Sequence, residues 1–173
     1  MRISREEMLM RQASVVALRS TCERLHVGAI IARDGRTLSS GYNGNVAGVD
    51  HCVHETTEIH TQQTKQHGEP PVRTLVSGCT EAVHAEANAI AYAARHGVAV
   101  DGAELYTTHQ PCINCAMLII NAGISRVYFD QPYRLNAGLN LLLQAPSVAV
   151  YKGSYGHQDG TPPTEYSFAE VRA

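Results

Sequence analysis

The pairing that most restricts this chain is His84-Ala85-Glu86 with Pro111-Cys112-Ile113-Asn114-Cys115. One imidazole and two thiols make three zinc ligands, one short of a tetrahedral shell. A structural zinc site fills the fourth position with a side chain, whereas a site that leaves it to water does chemistry. Glu86, two residues from His84, is badly placed to bind the same ion and well placed to move a proton. Any fold this chain adopts must therefore bring two separated segments to one point.

The local patterns say how. Cys112 and Cys115 lie three apart at the start of an expected helix, so their sulfurs share a face. The positive end of that helix favours thiolates there. His84 and Glu86 would diverge on a regular helix, so His84 is expected at the very edge of a helix over residues 84–96. In that stretch Ala87, Ile90, Ala91 and Ala94 recur at helical spacing and Gly97 stops the run. A strand over 103–108 leads to Pro111, an apt residue for the first turn of a second helix that Gly123 closes. Met117, Leu118, Ile119 and Ile120 make this helix apolar nearly all round, so burial is expected. A strand over 126–130 follows, and strand-helix-strand implies parallel pairing.

Elsewhere a helix is expected over 4–20, a strand over 27–32, a turn at Asp34-Gly35 and a returning strand over 37–42. A short helix over 138–144 and a strand over 148–151 follow. Residues 45–80 are rich in His, Thr, Gln, Gly and Pro without periodicity and read as a long insertion. One domain over 1–152 is expected, with 153–173 as a loosely attached tail rich in Gly and Pro.

Composition excludes several classes. With 173 residues and 44% hydrophobic content, a single domain with its own core is expected. No apolar run is long enough to span a bilayer, and Met1-Arg2-Ile3-Ser4-Arg5-Glu6-Glu7 lacks the apolar centre of a secretion signal. A cytoplasmic protein is expected. The net charge is −2, with no Trp and two Phe, so neither a basic face nor aromatic platforms for a nucleic-acid polymer are in evidence. A free nucleotide is the better partner. Five cysteines, an odd number, point to metal or thiol chemistry rather than a disulfide framework. Cys-x-x-Cys alone would serve equally as a redox pair or half a zinc knuckle. A second His-x-Glu, His67-Gly68-Glu69, runs into Pro70-Pro71 and cannot start a helix like that at 84.

His-x-Glu followed by Pro-Cys-x-x-Cys is the pattern of zinc-dependent nucleobase deaminases. Around it stand Leu105-Tyr106-Thr107-Thr108-His109, the stretch from Ala116 to Ile124, Val27-Gly28-Ala29 and Gly41-Tyr42-Asn43-Gly44. Together these resemble the deoxycytidylate (dCMP) deaminases of bacteria and bacteriophages, over residues 20–151 and in the same order. The resemblance implies an α/β, three-layer α/β/α cytidine deaminase-like fold, with a mixed central sheet of about five strands flanked by helices. It implies one catalytic zinc on His84, Cys112 and Cys115, and Glu86 as the residue that moves protons. The implied reaction is hydrolysis of dCMP to dUMP with release of ammonia, feeding thymidylate synthesis.

The resemblance also aligns Cys22, Cys52 and Cys79 with a structural zinc, completed by a histidine. His54 is preferred over His51 and His60 as that fourth ligand, and Gly78 stands where many relatives carry a histidine. Three small buried thiols are the alternative. For the substrate, Asn43 matches a residue that meets sugar or base and Arg24 one that faces the phosphate, while Tyr133 is a candidate to cover the nucleotide; a turn asparagine, a solvated arginine and a core-edge tyrosine are the alternatives. The backbone N–H of Ala85 is a candidate donor to the base carbonyl. His109 is either a substrate contact or a support for the cysteine loop. Family resemblance further implies a homo-oligomer, commonly a hexamer, and dCTP and dTTP as effectors. The alternatives are a deaminase of another cytosine nucleotide or nucleoside, such as 5-substituted dCMP, and a nucleic-acid base editor on the same fold.

Overall fold

The computed structural model describes residues 2–52, 79, 82–155 and 166–172. The elements in chain order are α1 (Arg5–Ala17), β1 (Gly28–Arg33), β2 (Arg36–Tyr42), α2 (Ala85–Arg95), β3 (Glu104–His109), α3 (Ile113–Asn121), β4 (Arg126–Gln131), α4 (Ala137–Gln144), β5 (Ala149–Tyr155) and β6 (Tyr166–Val171). They build a six-stranded sheet in the order β2-β1-β3-β4-β5-β6. β3, β4 and β5 are parallel, while β1, β2 and β6 pair antiparallel with their neighbours. α3 and α4 are the crossovers of the parallel part, and such crossovers are what let parallel strands be neighbours.

Strand alternation sorts the core into two layers. Ala29 and Ile31 of β1, with Leu105, Val127, Phe129 and Val150, pack against α2, α3 and α4. Ile30 and Ala32 point the other way, with Tyr106 and Tyr128, onto Leu9, Met10 and Ala13 of α1. The result is the expected three-layer α/β/α sandwich with one helix on one face and three on the other. Ser4 caps α1 by accepting the Glu7 N–H at 3.0 Å. Asp34 and Gly35 both have positive φ, 53° and 75°, the backbone twist that a two-residue hairpin between right-handed strands requires.

Four expectations change. The opening helix ends at Ala17, because Leu18, Arg19 and Ser20 bond three residues back in a tightening turn rather than continue it. Pro111 lies outside α3; Cys112 is its N-cap and Ile113 its first residue. The helix is also not buried all round, since Ile113, Met117 and Leu118 are each more than 40% exposed. Lastly, the sheet has six strands, because the presumed tail supplies one. Residues up to Tyr155 extend β5, and Tyr166–Val171 pairs with it. Tyr166 and Phe168, alternate residues of β6, join the aromatic layer: Phe168 meets Tyr128 edge-on at 5.0 Å. The 45–80 insertion is described only at its ends, so His54, His60 and His67-Gly68-Glu69 lie outside the described residues. Among the described residues no helix is long and apolar enough to cross a membrane.

Two features position the site. A methyl group at Gly41 would overlap the carbonyl oxygen of Ala85 and the amide nitrogen of Ala89, so only glycine lets α2 lie directly on β2. Asn43 braces the chain before β1: its Oδ1 accepts the Val27 N–H at 2.7 Å and its Nδ2 donates to the Leu25 carbonyl at 2.7 Å. Next to it, Gly44 and Val83 exchange backbone hydrogen bonds of 3.1 and 2.9 Å, which tether the approach to His84.

Gly41→Ala should therefore cost about 1–3 kcal/mol of folding stability through overpacking. Asn43→Ala should cost about 1–2 kcal/mol, because it removes two hydrogen bonds and strands the part-buried Val27 N–H. Urea unfolding of each variant measures both; losses below about 0.5 kcal/mol would contradict these packing roles.

Candidate active site and metal centre

The site forms where α2 and α3 begin, at the carboxyl end of the parallel strands, the customary place for a ligand in such sheets. His84 and Cys112 are the N-caps of these helices, with extended backbones (φ −72°, ψ 154° and φ −72°, ψ 173°), and neither side chain caps its own helix. Both side chains are thus turned away from their helices and toward each other. His84 Nδ1 lies 3.3 Å from Cys112 Sγ and 3.4 Å from Cys115 Sγ.

These distances suit a metal. Zinc at ordinary Zn–N and Zn–S lengths in a tetrahedron would separate an imidazole nitrogen from a thiolate by about 3.6 Å. The three ligand atoms all fall within 4.8 Å of one another. The nitrogen and sulfur donor set is the kind zinc prefers, so these residues fit the ion. As expected, His84 sits at the helix edge, where its extended backbone lets it share a site with Glu86.

Hydrogen bonding from Cys115, then from His84, holds the Cys112 thiol down to about 3 despite burial. The same contact with Cys112, together with burial, pushes the Cys115 thiol up. His84 is raised, chiefly by its bond to Cys112. Glu86 is 3% exposed, and burial pushes its carboxyl up, opposed by its own backbone N–H and by His84. A buried carboxyl beside a ligand cluster is the kind of group that can both take and return a proton.

One cavity of about 530 Å³ joins most of the other candidates. Its wall includes His84, Ala85, Glu86 and Cys112, with Arg24, Asn43, His109 and Tyr133. That volume falls within the range of small-molecule sites. Asn43 borders the cavity, but both ends of its amide are committed to the backbone at Leu25 and Val27. Burial lowers the pKa of His109, with Asp130 opposing. Gln110 and Arg134 also line the cavity and were missed in sequence. Gln110 is buried and donates to the Leu135 carbonyl at 3.2 Å, tying the end of β3 to the loop after β4. Its position between His109 and Pro111 was the available signal.

The second cysteine group also assembles. Cys22, Cys52 and Cys79 lie within 4.8 Å of one another, and none of the three is in a disulfide. Burial, then hydrogen bonds from Cys79 and Cys22, push the Cys52 thiol up to about 12. His51 is exposed and outside this group, and His54 lies outside the described residues.

Residues 3–131 match the model of the cytidine and deoxycytidylate deaminase zinc-binding region. ComE operon protein 2 of Bacillus subtilis is 40% identical over 149 residues, covering 86% of this chain and 71% of its own length. The deoxycytidylate deaminase of Mycobacterium phage D29 is 40% identical over 129 residues, covering 73% of this chain and 94% of its own. Among solved structures, the dCMP deaminase of cyanophage S-TIM5 in complex with dCMP and dUMP superposes with a TM-score of 0.69. It is 31% identical and covers 88% of this chain and 98% of its own. A converging imidazole and thiol pair, a buried glutamate and a match over most of the chain place this protein in the zinc-binding cytidine and deoxycytidylate deaminase family.

Proposed function

We propose that this protein hydrolyses dCMP to dUMP and ammonia, with zinc held by His84 Nδ1, Cys112 Sγ and Cys115 Sγ. The observation that carries the proposal is the convergence of those three atoms on one point beside buried Glu86. Likeness to a phage enzyme bound to dCMP and dUMP supports the choice of nucleotide. Zinc, when bound there, supplies a Lewis acid that makes water nucleophilic near neutral pH.

The chain's own residues do the rest. Glu86 takes the proton of the attacking water and delivers it to N3 of cytosine. It then takes the remaining proton from the hydroxyl now on C4 and passes it to the departing 4-amino group, so the C4–N bond breaks as ammonia leaves and C4 keeps the water oxygen as a carbonyl. Two thiolates on the metal donate more charge than neutral ligands would, so water activation leans on Glu86 as a base. The Ala85 N–H, at the opening of α2 where first-turn donors are unpaired, would hold the base carbonyl. Arg24 and Tyr133 would take the phosphate and cover the nucleotide, while Asn43 shapes the wall through the backbone it braces.

A second, structural zinc on Cys22, Cys52 and Cys79, with His54 as the fourth ligand, belongs to the same proposal. It would pin the ends of an insertion that has few apolar residues of its own. Hexameric assembly and control by dCTP and dTTP follow from family resemblance, and exposed Ile113, Met117 and Leu118 on α3 support self-association. A solved tRNA:A34 deaminase structure is 23% identical to this chain, a likeness of fold alone.

Glu86→Gln should retain zinc and release ammonia from dCMP more than about 10⁴-fold more slowly, since one residue serves several proton transfers. A rate within tenfold of the parent, zinc being present, would contradict the role of Glu86. Elemental analysis of the parent should give roughly two zinc ions per chain and of Cys52→Ser roughly one. One in both would remove the structural site.

A further inference from the structure

The segment after β4 brings Pro132, Tyr133 and Arg134 to the cavity wall, and both of its ends are tied. At the far end the Gln110 side chain donates to the Leu135 carbonyl at 3.2 Å. At the near end the Gln110 backbone N–H donates to the Gln131 carbonyl at 2.8 Å. One residue further back, Asp130 carries the remaining ties. Its Oδ2 accepts the Gln131 side-chain N–H at 3.0 Å, and its Oδ1 accepts the Tyr166 hydroxyl at 3.1 Å. Tyr166 opens β6, which is separated from β4 by the whole width of β5. A strand remote from the cavity thus reaches the base of a loop that lines it.

Neighbouring strands lie about 4.8 Å apart, so a side chain on the strand between would ordinarily block such a contact. Here the path is open at Gly153. β4 and β5 pair at Phe129 and Lys152, and the next step along both strands sets Asp130 beside Gly153. β5 and β6 pair at Tyr155 and Tyr166, so Tyr166 stands diagonally from Gly153, within reach of an aromatic side chain. A methyl group at Gly153 would overlap the Tyr166 hydroxyl, which shows that the phenol crosses β5 over bare backbone. The ring is buried and meets Phe168 edge-on at 5.1 Å, so packing fixes its aim. Phenylalanine would fill the same space. The hydroxyl is the part of Tyr166 that acts on Asp130.

We propose that Tyr166 is a positioning residue for the nucleotide cavity, holding the start of the 132–134 loop in its binding geometry through Asp130. That role rests on the dCMP reading and gives β6 a part in substrate binding. A loop tied at both ends is already ordered when the ligand arrives. Releasing one end lowers the fraction of molecules with the wall in place, and apparent affinity falls by that fraction. Glu86 and the thiols stand with α2 and α3 on the opposite face of the sheet from Tyr166. Loss of the tie therefore reaches binding and leaves the chemical step alone.

Steady-state deamination of dCMP by the zinc-loaded full chain, paired with amide hydrogen exchange, tests the tie. Tyr166→Phe removes one oxygen and keeps the ring. It should raise KM about fivefold to tenfold with kcat within about twofold and zinc content unchanged. Gly153→Ala, at a residue that does not line the cavity, should push the hydroxyl off Asp130 and raise KM to a similar degree. Adding Tyr166→Phe to Asp130→Ala should change KM by less than about twofold further, because the pair acts as one unit. Val171→Ala weakens β6 from the opposite face and should lower the unfolding midpoint with KM within about twofold of the parent. Exchange of the amides at 131, 133, 134 and 135 should quicken in Tyr166→Phe, while those of α2 stay as they were. A KM near the parent's in both Tyr166→Phe and Gly153→Ala would overturn the assignment. So would a rise in Val171→Ala as large as that in Tyr166→Phe, which would make β6 a merely structural strand. A zinc-loaded parent that leaves dCMP intact would instead remove the substrate reading, and the exchange comparison would still decide whether Tyr166 holds the loop.

Discussion

Everything chemical in this protein depends on two helices starting at the same place. An N-cap residue ordinarily turns its side chain back onto its own helix. Neither His84 nor Cys112 does so, and each instead reaches the other across the gap. Each helix start also brings unpaired N–H groups and a partial positive charge, which suits thiolates and a carboxylate. The convergence requires α2 to sit hard against β2, which the bare backbone of Gly41 permits. Gly138 plays the same part for α4, where a side chain would overlap the backbone at Pro111 and Cys112. One residue of rotation in α2 would carry His84 about 100° from the cysteines and dismantle the cluster.

Charge is arranged locally rather than globally. The chain as a whole is slightly acidic, so no long-range field draws in an anionic substrate. Inside the cavity, however, Glu86 and the Cys112 thiol lie at the starts of α2 and α3, while two guanidiniums come from the loops before β1 and after β4. The same division explains why burial, rather than a charged neighbour, is the main influence on Glu86.

Much of this was legible in the residues because chemistry and local geometry coincide there. Metal-ligating types at helix starts, a hairpin turn at Asp34-Gly35 and glycine helix stops each read correctly from a few positions. What escaped is what needs the third dimension. Met117 and Leu118 are as apolar as Ile119, yet only Ile119 is in the core, and hydrophobicity cannot distinguish a core face from a surface one. The strand Tyr166–Val171 was masked by the glycines and prolines before it, although Tyr166 and Phe168 alternate as an edge strand should. Gln110 acts on residues 25 positions away, and no periodicity records such a contact. Asn43 had the opposite fate: its motif drew attention to the substrate, while its amide is spent on the backbone beside it.

Anomalous diffraction at the zinc absorption edge, from crystals of the purified protein, examines the ligand arrangement most directly. A metal peak bonded to His84 Nδ1, Cys112 Sγ and Cys115 Sγ, with a non-protein fourth ligand within hydrogen-bond reach of Glu86, is the expected map. A metal closed off by a fourth side chain of the protein, or a peak absent from this position in active enzyme, would contradict the account.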